Sequence, residues 1–454
     1  MHLAPLRVLR HGIALAAAGV GIVTALFAQG MPYRPTPEEL AAVERREAEL
    51  EHLIVSLRAR PEPDRPAESL ICDAEVFLRL SRFGREMTGY PSAAAYRAAV
   101  RGLDTGIARA RALLAGRSPW VEQRGRTLRG FRSRIDGTVQ PYGLSLPEGW
   151  DPRQPIRLDV DLHGRGPTEL TFLNTHLPAN PTVSREPFIT LFPYGRGNNG
   201  WRWAGETDVF EALAEVTRQY RIDPRRIVLR GFSMGGHGAW HLGLHYPDRW
   251  AAVNPGAGFT ETRRYGRYTD PVPPYIEAGW HLYDAVDYAL NGFNTPFIAY
   301  GGDMDPQLAA ARNMEAAMAQ EGIALRVVVG PMTGHTIHPE SRREIMAWLA
   351  DRVLDPEPPH VKFVTYTLKY PRNRWVEVLA LEAHYRRATV DARHAGDRLV
   401  VKTENVVGLR LAPSRLPGTC EIDGQTLAIP QGEAALTLRR TGGEWRREPA
   451  PDRD

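Results

Sequence analysis

A serine set between glycines, followed later by paired aspartates and then by a histidine, stands in the chain order that acyl-transfer chemistry can use. The serine is Ser233, in Gly231-Phe232-Ser233-Met234-Gly235-Gly236. Ile227, Val228 and Leu229 lead into it as a β-branched, strand-like run, and 236–245 continue as a helix. A serine on such a strand-to-helix turn has its hydroxyl lifted clear of the sheet, and the small neighbours let strand and helix approach closely. A hydroxyl is a weak nucleophile until a base takes its proton and a carboxylate orients that base. The base is expected at His335, in the loop Gly330-Pro331-Met332-Thr333-Gly334-His335, rather than at His338, which with Pro339 behind it reads as a helix entry. Two carboxylates, Asp303 and Asp305, follow the strand at 297–300. Asp305 before Pro306 also reads as a helix cap, so from spacing alone either could be the acid.

The negative charge that develops on an attacked carbonyl needs fixed donors. The backbone N–H of Met234 is one candidate. The loop Leu162-His163-Gly164-Arg165-Gly166 offers a second at Gly164 or Arg165, with His163 read as a brace for the loop. His237, His241 and His245 recur every fourth residue and so share a helix face; they are expected to be packed core histidines rather than metal ligands. No metal and no cofactor is expected. The loop from Tyr194 to Trp203 lacks a phosphate-loop ending and reads as a cleft wall with Trp201 and Trp203 as stacking surfaces, the alternative being two tryptophans that anchor a long loop.

These residues need strands whose carboxyl ends converge. Apolar runs with little alternation at 156–162, 188–192, 227–229, 250–253, 297–300 and 325–329 fit parallel strands covered on both faces. Helical periodicity between them is clearest at 206–220, 306–321 and 339–354. The alternation implies a doubly wound α/β domain over 127–355. Ahead of it, 29–126 reads as an α-helical region that opens with a capping box at Thr36 and Glu39. Behind it, 356–454 reads as a small β-sandwich-like domain with short strands and turns such as Asp423-Gly424. Residues 1–28, with Arg7, Arg10 and His11 ahead of an uncharged apolar run, read as a signal peptide or N-terminal anchor, so the protein is expected to be exported to the periplasm or outside the cell. Cys72 and Cys420 could be bridged or left as thiols. A net charge of +4 comes almost wholly from dispersed arginines, the only lysines being Lys362, Lys369 and Lys402, and no basic stripe points to nucleic acid.

With Ser233, Asp305, His335 and the His163-Gly164 loop in place, residues 135–354 resemble the α/β-hydrolase superfamily, and within it the secreted esterases and prolyl-oligopeptidase-like serine hydrolases. Gly238-Ala239-Trp240 after the serine and the spacing from Gly302 to Asp305 add to the likeness, and that register favours Asp305 as the acid. The resemblance implies a Ser-His-Asp hydrolase acting on a small-molecule ester, a peptide or a polymer-linked acyl group. Prolyl oligopeptidases carry a β-propeller that filters peptides. The mostly helical 29–126 departs from that pattern and turns the expectation toward an esterase, with a peptidase or a non-catalytic, ligand-holding module as alternatives.

Overall fold

The computed structural model describes residues 32–448 except 167 and 179–181. The export segment expected at 1–28 therefore lies outside the described residues, and none of the described helices is long and apolar enough to cross a membrane. The described residues divide into two compact units, one running to 118 and including 168–177, the other holding the rest.

The first unit is helical. α1 (Pro37–Arg58) opens with the expected reciprocal cap, in which Thr36 accepts from the Glu39 N–H and the Glu39 carboxylate from the Thr36 N–H. Leu50, Ile54 and Leu57 recur three and four residues apart and are buried, with Val43 one further repeat away. They pack with α2 (Glu68–Met87) and α3 (Ala93–Leu114). On α3, a Cβ added to Gly106 would lie 2.7 Å from a Leu50 methyl and 3.0 Å from the Ala74 carbonyl, so only glycine permits that crossing. A short α4 (Glu169–His176), absent from the sequence reading, joins the same unit. Leu173 and Leu170 from α4 pack against Gly102 and Gly84.

The second unit is organised by an eight-stranded sheet in the order β1-β2-β4-β3-β5-β6-β7-β8. Its strands are β1 (Gly125–Arg132), β2 (Val139–Leu146), β3 (Ile156–Leu162), β4 (Phe188–Pro193), β5 (Ile222–Phe232), β6 (Ala252–Gly256), β7 (Ile298–Gly302) and β8 (Arg326–Gly330). β1 and β2 run antiparallel at one edge, and β4, β3 and β5 through β8 are parallel. Between them lie α5 (Ala204–Gln219), α6 (Met234–His245), the short α7 (Thr262–Tyr265) and α8 (Pro274–Trp280), α9 (Leu308–Gln320) and α10 (Pro339–Ala350). The central strands are buried on both faces, as their unalternating apolar runs require; Val160, Ile189, Leu229 and Val253 are fully enclosed. Each such side chain contributes about 1.5–3 kcal/mol of burial. This is the α/β-hydrolase fold.

The same unit continues into two five-stranded sheets. One holds Arg372–Asn373, Val376–Leu381, Val406–Leu411, Leu436–Thr441 and Glu444–Arg447; the other holds Gln425–Ala428, Thr419–Ile422, Arg398–Glu404, Ala388–His394 and β9 (His360–Thr365). Cys72 and Cys420 are buried thiols, not joined in a disulfide.

Candidate active site

The nucleophile turn is built by crowding. Ser233 itself adopts φ 61° and ψ −122°, a left-handed conformation that costs a non-glycine residue on the order of 1–3 kcal/mol. Its neighbours force the turn. A Cβ on Gly235 would lie 2.0 Å from the Leu162 carbonyl of β3, and one on Gly236 2.0 Å from the Gly256 carbonyl of β6. The Ser233 N–H donates to Gly256 O at 2.9 Å, and the Ser233 carbonyl accepts from the His237 N–H at 3.0 Å. Three adjacent strands therefore fix where the hydroxyl stands.

His335 reaches that hydroxyl. Its Nε2 is 2.8 Å from Ser233 Oγ and its Nδ1 is 2.7 Å from Asp305 Oδ2. In the tautomer with the proton on Nδ1, the ring donates to the carboxylate and accepts from the serine. The Asp305 side chain is almost fully enclosed at 2% exposure, whereas His335 is 42% exposed. Asp305 Oδ1 accepts the Gln307 N–H at 2.9 Å, so one carboxylate serves both the turn into α9 and the imidazole.

Asp303 does something else. Its two oxygens accept the N–H groups of Met332 and Thr333 at 2.9 and 3.0 Å, and those donors hold its carboxyl below the usual carboxylate range. It pins the loop that carries His335. Tyr300 pins the far side of that loop, its hydroxyl donating to Thr336 O at 2.9 Å and accepting the His338 N–H at 2.8 Å. No local sequence signal marks Tyr300, which sits in β7 like any core aromatic. His338 is the residue that caps α10 ahead of Pro339.

The His163 loop abuts the nucleophile. A Cβ on Gly164 would lie 3.4 Å from Ser233 Cβ and 3.9 Å from its Oγ. His163 braces this loop, its Nε2 2.9 Å from Tyr194 O and its Nδ1 2.8 Å from Gly164 O, and burial lowers its pKa and favours the neutral ring. The Gly166 N–H is taken by Asn198 Oδ1 at 2.8 Å. Among the described residues the N–H groups of Gly164, Arg165 and Met234 have no hydrogen-bond acceptor, Met234 standing in the first turn of α6 where no helical carbonyl is in reach.

Trp201 corrects the sequence reading. It is fully buried, with its Nε1–H donating to His163 O at 3.3 Å, so it supports the loop from below instead of lining a cleft; Trp203, at 58% exposure, is the one that faces solvent. A buried anchor and an exposed platform look alike in sequence. The three α6 histidines take separate partners. His237 Nδ1 meets Phe259 O at 2.9 Å and its Nε2 accepts from Arg202 Nε at 3.1 Å; His241 Nε2 meets Glu206 Oε2 at 2.7 Å; His245 Nδ1 meets His241 O at 2.7 Å. Burial lowers the pKa of all three rings.

The fold is that of the α/β-hydrolases, and the site sets a serine, a histidine and an aspartate in the hydrogen-bonded order a serine hydrolase uses. Within that class, residues 194–353, which hold Ser233, Asp305 and His335, match the prolyl oligopeptidase family. The chain is also similar to the bifunctional acetylxylan esterase/xylanase XynS20E of Neocallimastix patriciarum, 28% identical over 162 residues that make up 35% of this chain and 23% of the relative. The chain thus spans less than a quarter of the length of that curated relative. Among solved structures, the acylaminoacyl peptidase of Pyrococcus horikoshii aligns with a TM-score of 0.40 and 15% identity over 52% of this chain and 43% of its own. S-formylglutathione hydrolase of Staphylococcus aureus aligns with a TM-score of 0.39 and 14% identity over 51% of this chain and 100% of its own.

Proposed function

We propose that the protein hydrolyses an ester through an acyl-enzyme on Ser233. The observation that carries this reading is the single imidazole of His335 lying within hydrogen-bond reach of both Ser233 Oγ and Asp305 Oδ2. His335 Nε2 takes the serine proton as Oγ attacks the carbonyl carbon, and the Asp305 carboxylate stabilises the imidazolium that forms. The carbonyl oxygen becomes an oxyanion held by the N–H of Met234 and that of Arg165 or Gly164. His335 then gives its proton to the departing alkoxide. Water, activated by the same ring, attacks the acyl carbon and frees Ser233. The steps need no cofactor.

An ester rather than a peptide bond is favoured by the similarity to an acetylxylan esterase and by the described residues ahead of β1, which form helices α1 to α3. The match to the prolyl oligopeptidase family supports peptide cleavage as a second reading. Export, inferred from residues 1–28, is part of the proposal and is checked by N-terminal sequencing of the protein from the producing cell.

The test is labelling with a fluorophosphonate, followed by turnover of an ester and peptide panel. Wild type should label at Ser233 and hydrolyse esters, and Ser233→Ala should do neither; equal labelling of the two proteins would sink the mechanism. Faster turnover of peptides than of esters would move the assignment to the second reading.

A further inference from the structure

Beside the triad, between the loop after β6 and the first turns of α9, lies a cavity of about 460 Å³. We propose that it binds a carboxylate carried by the substrate, with Arg264 and Arg267 as the recognition residues. The inference rests on the serine hydrolase reading and names the chemistry of the group that reading leaves open.

The cavity is tied to the catalytic residues through its floor and one wall. The floor is Gly258 and Phe259. A Cβ on Gly258 would lie 2.7 Å from the Ser233 carbonyl oxygen, so the floor packs directly on the nucleophile turn. The wall includes Gln307, whose Oε1 accepts the Gly258 N–H at 2.8 Å and whose own N–H donates to Asp305 Oδ1 at 2.9 Å. A group bound here sits one residue away from the backbone of both nucleophile and acid loops.

Its charge is unbalanced toward the positive. Arg264 and Arg267 both line the cavity, against one carboxylate, Glu261. Glu261 is engaged at the start of α7, where Oε2 accepts the Arg264 N–H at 2.8 Å. Arg264 is exposed and oriented by Asn313, with Nη1 donating to its Oδ1 at 2.9 Å. Arg267 has no side-chain acceptor among the described residues. Neighbouring Arg263, by contrast, is held by Glu277 at 2.9 Å. A planar guanidinium matches a carboxylate in shape and charge, and two beside one cavity favour an anion over a neutral group of the same size.

An apolar face for the carbon skeleton belongs to the same lining. Phe259 is sandwiched between the His237 ring, 3.7 Å away at 9°, and the Tyr265 ring, 3.9 Å away at 13°. Tyr265 is 55% exposed and forms the outer edge of this stack. The cavity thus pairs a stacked aromatic wall with cationic donors, the lining expected for an organic acid and not for a plain hydrocarbon chain.

The experiment compares two pairs of esters on the full chain at low ionic strength. One pair places the charge on the acyl side, para-nitrophenyl hemiglutarate against para-nitrophenyl pentanoate. The other places it on the alcohol side, 4-acetoxybenzoate against 4-acetoxybenzamide. In at least one pair the anionic member should be favoured in kcat/KM by about tenfold or more, the scale of one hydrogen bond to a charged group. Because both arginines are exposed, that preference should shrink in high salt. Arg267→Gln and Arg264→Gln should each erase most of it through KM, with neutral-ester turnover and fluorophosphonate labelling unchanged, and Arg267→Lys should keep part. Equal turnover within both pairs, or a preference that survives the double Gln variant, would overturn the proposal. Calorimetric binding of the anionic ester of the favoured pair to Ser233→Ala, lost in Ser233→Ala/Arg267→Gln, separates a wrong binding site from a wrong mechanism.

Discussion

Asp303 and Asp305 stand two residues apart and hold opposite ends of one loop. Asp305 holds the imidazole of His335 at 2.7 Å, while Asp303 holds the Met332 and Thr333 N–H groups that precede it. Asp305→Asn keeps the shape but can stabilise the wrong ring tautomer, so kcat should fall by roughly 10³–10⁴-fold. Asp303→Asn leaves the acid in place and loosens only the loop anchor, so its loss should be far smaller. Steady-state kinetics on one ester decides between them, and a larger loss in Asp303→Asn would reverse the roles. Spacing alone could not separate the two, because what distinguishes them is the direction each carboxylate takes toward a loop thirty residues on. The places of Ser233, His335 and His163 at strand ends were legible because each needs only its own flanking glycines and strand end to be read.

At the scale of elements, the strand-turn-helix from β5 to α6 depends on contacts that no side chain can enter. Gly235→Ala would place a methyl group 2.0 Å from the Leu162 carbonyl. Such overpacking typically costs about 1–3 kcal/mol and displaces backbone. The variant should therefore melt at a lower temperature and lose ester turnover together, as read by thermal melts alongside kinetics; a variant with unchanged kcat would show that the turn has slack. The long elements were legible within a few residues: β3 spans the expected 156–162, and β6 starts two residues later than its apolar run suggests. The short ones were not. α4, α7 and α8 are too brief to show a helical period, and Thr419–Ile422 and Glu444–Arg447 are too brief to show alternation. Trp201 was misread for a tertiary reason, since burial beneath another loop leaves no trace in local pattern.

In the larger of the two units, the hydrolase sheet and the C-terminal strands share a core. Val364, Tyr366 and Tyr370 belong to the same apolar cluster as Leu229 and Trp240. Buried Glu206 of α5 is the polar centre of this junction, accepting from Tyr246 and Tyr370 hydroxyls at 2.7 and 2.9 Å and from His241, with Lys369 Nζ 3.0 Å away. Burial alone would raise its carboxyl pKa; the His241 hydrogen bond, the Lys369 charge and the tyrosine hydroxyl outweigh that and hold it well below the ordinary range. A depressed carboxyl contributes stability that is complete above its unfolded value of about 4.3 and is lost as pH falls below it. Wild type should therefore lose melting temperature on acidification through that range, and Glu206→Gln should lose less. At neutral pH the same variant should be destabilised, by about 1–3 kcal/mol, because the buried donors Tyr246, Tyr370 and His241 lose a charged acceptor. Denaturant melts of the full chain at both pH values check the two signs, and a variant that is no weaker at neutral pH would remove Glu206 from the junction.

The crowded serine turn also sets an order of failure. Ser233 is located by carbonyls on β3 and β6 at the middle of the sheet, whereas His335 stands at 42% exposure in a surface loop held by the Asp303 and Asp305 carboxylates, the Met304 N–H and the Tyr300 hydroxyl. Under gentle heat or mild acid the base should stray while the nucleophile still stands in position. The protein would then lose its chemistry before it loses its shape, and regain it on cooling, because the part that is hardest to rebuild never came apart.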